Sequence, residues 1–280
     1  MSEQWTTIIK SNTKWFDINL KELFRYRDLI VLFVKRNYAT RYKQTILGPL
    51  WLILNPLITV FLYSFVFGSI AGLSTDGVPQ MAFYMASNAI WTYFAGCLTQ
   101  TSDTFVANAA IYGKVYFPRL TTPISTVITG VLDLGIQIVM LVIIMAAYVV
   151  RGIHFELDYS VCFIPVLIIQ VAILGLGCGI IISALTTKYR DLAVLAKFGV
   201  QLWMYASPVV YSVTQIPEEY RSLYLLNPMA PILTVFRHSF FGTGEIPWAA
   251  WGISWVVTAG VLVLGVVLFS KIEKTFMDTV

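Results

Sequence analysis

The sequence predicts an all-α integral membrane protein: six transmembrane helices, an amphipathic interface helix at the N-terminus, and short half-inserted helices before the last span. Three observations carry that expectation. Of 280 residues, 58% are apolar and only 12% charged, about half the charged share of a soluble domain. The mean hydropathy is +0.74, the reverse of a composition that keeps a chain unfolded. Six apolar segments each exceed the roughly 20 residues that cross a bilayer. A soluble globular enzyme and a disordered chain are both excluded.

The N-terminal segment, residues 1–46, is expected to lie at the cytoplasmic face, ahead of a membrane domain spanning 47–280. It holds nine Lys or Arg and no apolar stretch of about 7–15 residues, so it does not read as a signal peptide. Residues 17–46 read as an amphipathic helix, with Asn19 as cap and Glu22 reaching back to it. Leu20, Leu23, Phe24, Val31, Val34 and Tyr38 recur at helical spacing, while Lys21, Arg25, Arg27, Lys35 and Arg36 fall mostly elsewhere. A basic, one-sided helix of this kind suits the membrane interface; a soluble packing helix is the alternative.

The predicted spans are 47–71, 81–108, 120–150, 160–187, 192–213 and 246–270. The first contains Asn55-Pro56, tolerable where a neighbouring helix or a cavity satisfies the freed backbone. Asp103 lies near the end of the second, Asp133 near the middle of the third and Lys197 near the start of the fifth. The fourth and sixth carry no charge. Residues 220–242 contain Asn227-Pro228, Pro231, Arg221, Arg237 and His238. Their apolar runs are too short to cross, so two half-inserted helices are expected within an outer region, 214–245. With both termini cytoplasmic, sixteen Lys or Arg fall inside and only Arg151, Arg221 and Arg237 outside, which satisfies the positive-inside rule.

Little in the sequence points to catalysis. His154 and His238 are far apart and on the expected outer side, and no HExxH, GxSxG or Cys/His pair is present. Cys97, Cys162 and Cys178 lie in apolar runs and read as small core residues. No metal site is expected. Gly113-Lys114 is followed by Val115, so it is not a phosphate-binding loop, and any ATP used here is hydrolysed by another chain. Asp133 is the one acid near a bilayer midplane, where a charge needs a polar cavity or a partner. Either a structural duty or a proton relay would account for it. Asp103 and Lys197 can snorkel from near the cytoplasmic ends. Gly175, Gly179 and Ser183 form a small-residue face suited to close helix packing. Tyr63, Trp91, Tyr93, Trp203 and Tyr205 lie inside spans, where rings either pack or stack on sugars.

Three stretches resemble a known family. Arg41-Tyr42-Lys43-Gln44-Thr45-Ile46-Leu47-Gly48-Pro49-Leu50-Trp51, followed by Leu54-Asn55-Pro56-Leu57, is similar to the start of the first span in bacterial polysaccharide ABC exporter permeases. Val115-Tyr116-Phe117-Pro118-Arg119-Leu120 resembles that family's loop between spans two and three. Leu226-Asn227-Pro228-Met229, ahead of Phe236-Arg237, resembles its segment before the last span. The likeness covers nearly the whole chain, and the relevant branch moves O-antigen, capsule and teichoic-acid polysaccharides.

The resemblance implies a homodimer in the bacterial inner membrane, with a channel between protomers driven by two copies of a separate ABC ATPase that holds ATP and Mg. The cargo would be a polysaccharide on a polyprenyl pyrophosphate lipid, arriving from the cytoplasmic leaflet; no nucleic acid is involved. Arg36, Arg41 and Lys43 sit where they could take the pyrophosphate, since Arg offers forked donors to phosphate; plain positive-inside anchoring is the alternative. Tyr112, Lys114, Phe117, Pro118 and Arg119 would couple to the ATPase. Asn227, Pro228 and Arg237 would belong to the outer gate. The first and fifth spans would form the channel, for which Trp51, Asn55, Tyr63, Trp203 and Tyr205 are the candidate residues. A proton-coupled secondary transporter using Asp133 and a membrane enzyme acting on lipid-linked sugars are the competing classes. The missing pair of broken-helix repeats weighs against the first, and the missing catalytic constellation against the second.

Overall fold

A computed structural model describes residues 20–43, 46–156, 159–186 and 191–276. Asn19, Gln44 and Thr45, and Lys188 and Arg190 among the sixteen inside charges, lie outside the described residues. Within them the chain is helical, with no strand. Helix α1 covers Leu20–Arg25 and α2 Arg27–Tyr42. A 3-10 turn, Gly48–Leu50, leads into α3, Trp51–Tyr63, which continues as a π-helical stretch, Ser64–Ile70. There follow α4 (Gln80–Ser102), α5 (Thr104–Tyr112), α6 (Thr121–Val150), α7 (Ile164–Thr186) and α8 (Leu192–Tyr205). The chain closes with α9 (Glu218–Tyr224), α10 (Met229–Phe241) and α11 (Trp248–Phe276).

Among the described residues, four helical segments are long and apolar enough to cross a membrane: Gly48–Ile70, Thr121–Val150, Tyr159–Thr186 and Trp248–Lys271. The 81–108 segment is not one helix. It breaks at Asp103, where α4 gives way to α5, and Asp103 pairs with Lys197 at 3.3 Å instead of each charge snorkelling alone. The helix expected over 192–213 stops at Tyr205, because Pro208 disfavours helical backbone at the residue before it. At 14 residues α8 is about 21 Å long. The first span passes Pro56 without a break. Residues 220–242 do divide at Asn227-Pro228, into α9 and α10.

Helix α7 is the centre of the packing, with α4 on one side and α11 on the other. Lipid offers helices no hydrophobic drive to associate, so close approach at small residues has to hold them. Gly175 and Gly179 face α4, and Gly177 faces α11 opposite Gly265. Ser183, the next small residue on the α4 side, is buried. Helix α4 is buried along most of its length, with Ser87, Asn88, Thr101 and Ser102 enclosed by neighbouring helices. Cys97 is buried and Cys178 half-buried, but Cys162 is exposed, unlike the core position expected for it.

The N-terminal helix differs from its predicted form. It is broken at Tyr26, and the face that packs carries Tyr26, Leu29 and Phe33. Phe24 and Val31, from the expected apolar stripe, are 70% and 51% exposed on the opposite side. The reason is tertiary: Phe33 inserts into a ring cluster of Phe105, Tyr112, Phe117 and Phe269, and its helix lies along α6. Helix α2 therefore has two apolar faces, one covered by protein and one outward.

Candidate functional site

A cavity of about 470 Å³ opens between α3, α4 and α6. Its walls come from residues four apart, which share one helix face: Trp51, Asn55 and Thr59 on α3, and Asn88, Thr92, Gly96 and Gln100 on α4. Helix α6 adds Asp133 and Gln137, and Arg41 reaches in from α2. Gln137 Oε1 accepts from Asn88 Nδ2 at 3.4 Å and from Thr92 Oγ1 at 3.2 Å. Arg41 Nη1 is paired with Asp133, and its Nη2 donates to Gln100 Oε1 at 2.7 Å. An Arg at the depth of Asp133 was not expected from the sequence. The acid is one half of an ion pair, and a lone relay carboxylate is not what the cavity contains.

Of the five candidate channel residues, Trp51 and Asn55 line this cavity. Tyr63 stands beyond it, donating to Met204 Sδ at 3.4 Å, with its ring edge-on to Phe67 and Tyr84. Trp203 packs edge-on to Phe94 at 5.0 Å and donates Nε1 to Asn227 Oδ1 at 3.0 Å. Tyr205 is exposed. The basic trio also separates. Arg36 lies over the Phe33 ring and donates to Asn108 at 3.3 Å, Arg41 sits in the cavity, and Lys43 is exposed.

The 112–119 loop is divided between surface and core. Tyr112, Phe117 and Arg119 are buried. Phe117 packs on Phe33 with ring centroids 5.6 Å apart, Arg119 lies over the Tyr112 ring, and the Tyr112 and Thr122 hydroxyls are hydrogen-bonded. Pro118 is half-buried and its carbonyl accepts from Thr121 Oγ1 at 2.5 Å. Gly113, Lys114, Val115 and Tyr116 are the exposed surface. A partner touching this loop meets those four residues, while beneath them Phe117 packs on α2 and Arg119 on the Tyr112 ring.

On the other side, Asn227 fastens α8 to α10. Its Oδ1 accepts from Trp203 and from the Met229 backbone N–H at 3.1 Å, and its Nδ2 donates to Ala206 O and Ser207 Oγ, both at 2.9 Å. All four of the amide's hydrogen-bonding positions are used. Pro228 caps the start of α10, with its carbonyl accepting from Ser254 Oγ at 2.8 Å. Arg237 is buried, donating to Pro208 O at 2.8 Å and lying 4.4 Å over the Phe83 ring. Asp76 accepts from Ser212 and, at 2.8 Å, from Thr214 Oγ1. Burial, then the hydrogen bond it donates to Tyr211, raises the Tyr224 phenol above the usual tyrosine range. Among the described residues no group of three His, Cys, Asp or Glu is placed to hold a metal ion.

The cavity's polar stripe escaped sequence reasoning, although Asn88, Thr92, Gly96 and Gln100 recur every fourth residue in an otherwise apolar segment. That recurrence was the available signal.

The family described as "ABC-2 type transporter" matches residues 28–241. The chain is 29% identical over 261 residues to the O-antigen export system permease protein RfbA of Klebsiella pneumoniae, covering 93% of this chain and 96% of that one. It is 28% identical over 225 residues to RfbA of Myxococcus xanthus, covering 79% and 84%. It is 22% identical over 250 residues to the capsule polysaccharide export inner-membrane protein BexB of Haemophilus influenzae, covering 88% and 91%.

Proposed function

The chain belongs to the ABC-2 type transporter family, and from that premise we propose that it is the channel-forming permease of an ATP-driven exporter that moves lipid-linked, O-antigen-like polysaccharide across the bacterial inner membrane. The observation that carries this reading is the alignment with O-antigen export permeases along almost the whole chain. Capsule polysaccharide and teichoic acid are the alternative cargoes. The permease works as a homodimer with two ATPase subunits, which hold the ATP and Mg. Six spans are formed by Gly48–Ile70, α4, α6, α7, α8 with the segment after it, and α11. Both termini are cytoplasmic, and α9 and α10 are half-inserted at the outer face. Trp51, Asn55, Tyr63, Trp203 and Tyr205 serve the pathway. Arg36, Arg41 and Lys43 lie where the lipid pyrophosphate loads. Lys114 presents the coupling loop that Tyr112, Phe117, Pro118 and Arg119 shape, and Asn227, Pro228 and Arg237 hold the outer gate. The pairing of Asp133 with Arg41 supports this reading over proton coupling, because it accounts for an acid within a span without a relay.

The decisive test uses cells that make a lipid-linked O-antigen but lack their own permease. Supplying this chain with its ATPase should restore surface glycan, and inactivating that ATPase should abolish it. Surface glycan that persists with the inactive ATPase would refute ATP-driven export.

Orientation has its own expected result. In a background without Cys97, Cys162 and Cys178, Ser74→Cys should react with a membrane-impermeant maleimide on intact cells, and Lys43→Cys should not. Both positions are exposed on the protein, so membrane sidedness decides the labelling. The reverse pattern would invert the topology.

A further inference from the structure

Arg41 stands at the C-terminal end of α2, at the mouth of the cavity, with its side chain 29% exposed and that of Asp133 20% exposed. Its two terminal nitrogens are spread over two acceptors, Asp133 Oδ2 and Gln100 Oε1. A guanidinium takes two oxygens of a phosphate with the same forked donors. Asp133 itself is incompletely satisfied: its Oδ1 is buried and has no hydrogen-bond partner among the described residues. The nearby cavity wall, Asn55, Thr92 and Gln137, is uncharged. A ligand that wants the Arg41 cation must therefore take it from Asp133, and the exposure of both side chains gives it access.

We propose that Asp133 is an internal competitor at a phosphate site on Arg41: it occupies the guanidinium until the phosphate of a lipid headgroup displaces it, and so sets how weakly that headgroup is held. The proposal rests on the reading that the cargo travels on a lipid phosphate. Its consequence is quantitative. The apparent dissociation constant is the intrinsic one divided by the fraction of time the site is free, so an Asp133 that holds Arg41 nine-tenths of the time weakens binding about tenfold. An unguarded arginine in a bilayer faces phosphodiester lipids in great excess over any carrier. The carboxylate keeps those monoanions off, while a pyrophosphate, with more charge to offer the cation, still displaces it. The same weakening lets the carrier leave once its glycan has moved on.

The test is calorimetric titration of the purified full-length chain, in phosphate-free detergent, with farnesyl pyrophosphate as probe and phosphatidylglycerol as competitor. Asp133→Asn should bind the probe about tenfold more tightly than the parent. Phosphatidylglycerol should then displace the probe from the variant at amounts that leave the parent unaffected. Arg41→Gln should remove binding in both backgrounds. A merely structural role for Asp133 predicts weaker binding in Asp133→Asn, and that result, or unchanged affinity, overturns the proposal. If Asp133→Asn does not give a monodisperse protein, the smaller neutral variant Asp133→Ser carries the same expectation. A parent chain that binds no farnesyl pyrophosphate also overturns it, whereas the functional reading stands or falls separately on glycan export in cells.

Discussion

Gly179→Val is expected to leave little folded permease in the membrane, whereas Gly260→Val should leave the parental amount. A Cβ on Gly179 would lie 2.5 Å from Thr101 Cβ and 2.8 Å from the Leu98 carbonyl oxygen, both on α4. The carbonyl belongs to a buried helix and cannot yield without moving α4 as a whole. A valine brings two further methyl groups into that contact. Two effects oppose each other. Leaving glycine gains a few tenths of a kcal/mol of helix propensity, within the ~1 kcal/mol span between Gly and Ala. Overpacking costs about 1–3 kcal/mol even where neighbours can shift, and here the neighbour is backbone. Overpacking wins, by about 2–3 kcal/mol, toward the upper end of that range. Nothing lies within 4 Å of a Cβ on Gly260, so that variant controls for the loss of glycine itself. Fluorescence-detected size exclusion of a tagged permease should show the Gly179→Val peak collapsed and the Gly260→Val peak intact. Equal peaks with equal melting temperatures would show that α4 and α7 are not held at this contact.

That prediction comes from a feature visible in the sequence: the four-residue repeat of Gly175, Gly179 and Ser183 survives as a packing face. The division at Asn227-Pro228 was legible for a similar reason, since proline acts on the backbone wherever it stands. Helix α4 was harder to bound. Most of its faces are covered by protein, so the apolar residues run almost all round it and the break at Asp103 left no trace in their periodicity. The stripe on α2 shows the limit of periodicity itself. Two apolar faces were present, and only the tertiary position of the Phe117 cluster decides which of them packs.

The site was less legible than the fold, because its joints are distant in sequence. Arg41 and Asp133 are 92 residues apart, and no local rule pairs them. Arg36, Arg41 and Lys43 look alike as a basic cluster, yet Asn108, the cavity and solvent each claim one. Phe117 and Arg119, exposed-looking in a short polar-flanked loop, are drawn inward by Phe33 and Tyr112. Only the stretch 113–116 keeps the surface character that the loop's sequence suggests.

Arg237→Met should unfasten the outer segment 206–215 while leaving the helical bundle assembled. Apart from a 3-10 turn at Val213–Gln215 the segment is irregular, and the carbonyls of Ala206, Pro208 and Tyr211 accept from side chains of other elements. Arg237 supplies much of that support: its Nη1 donates to Pro208 O at 2.8 Å and, at 3.4 Å, to Tyr211 O and Ser87 Oγ. Methionine keeps the length and apolar bulk of the side chain but none of its donors. Leaving a buried carbonyl unpaired costs about 1–3 kcal/mol, and the contact with the Phe83 ring is worth about 1–2 kcal/mol more. Relief from burying a cation offsets part of this loss. Asn227, which holds Ala206 and Ser207 independently, limits the damage to the segment itself. A net loss of about 2–3 kcal/mol corresponds to opening that is roughly 30- to 150-fold more frequent. Hydrogen exchange by mass spectrometry on the detergent-purified permease should therefore show faster exchange across 206–215. Peptides from α4, α7 and α11 should exchange at parental rates. If 206–215 exchanges no faster in Arg237→Met than in the parent, the guanidinium is not what holds the segment in place.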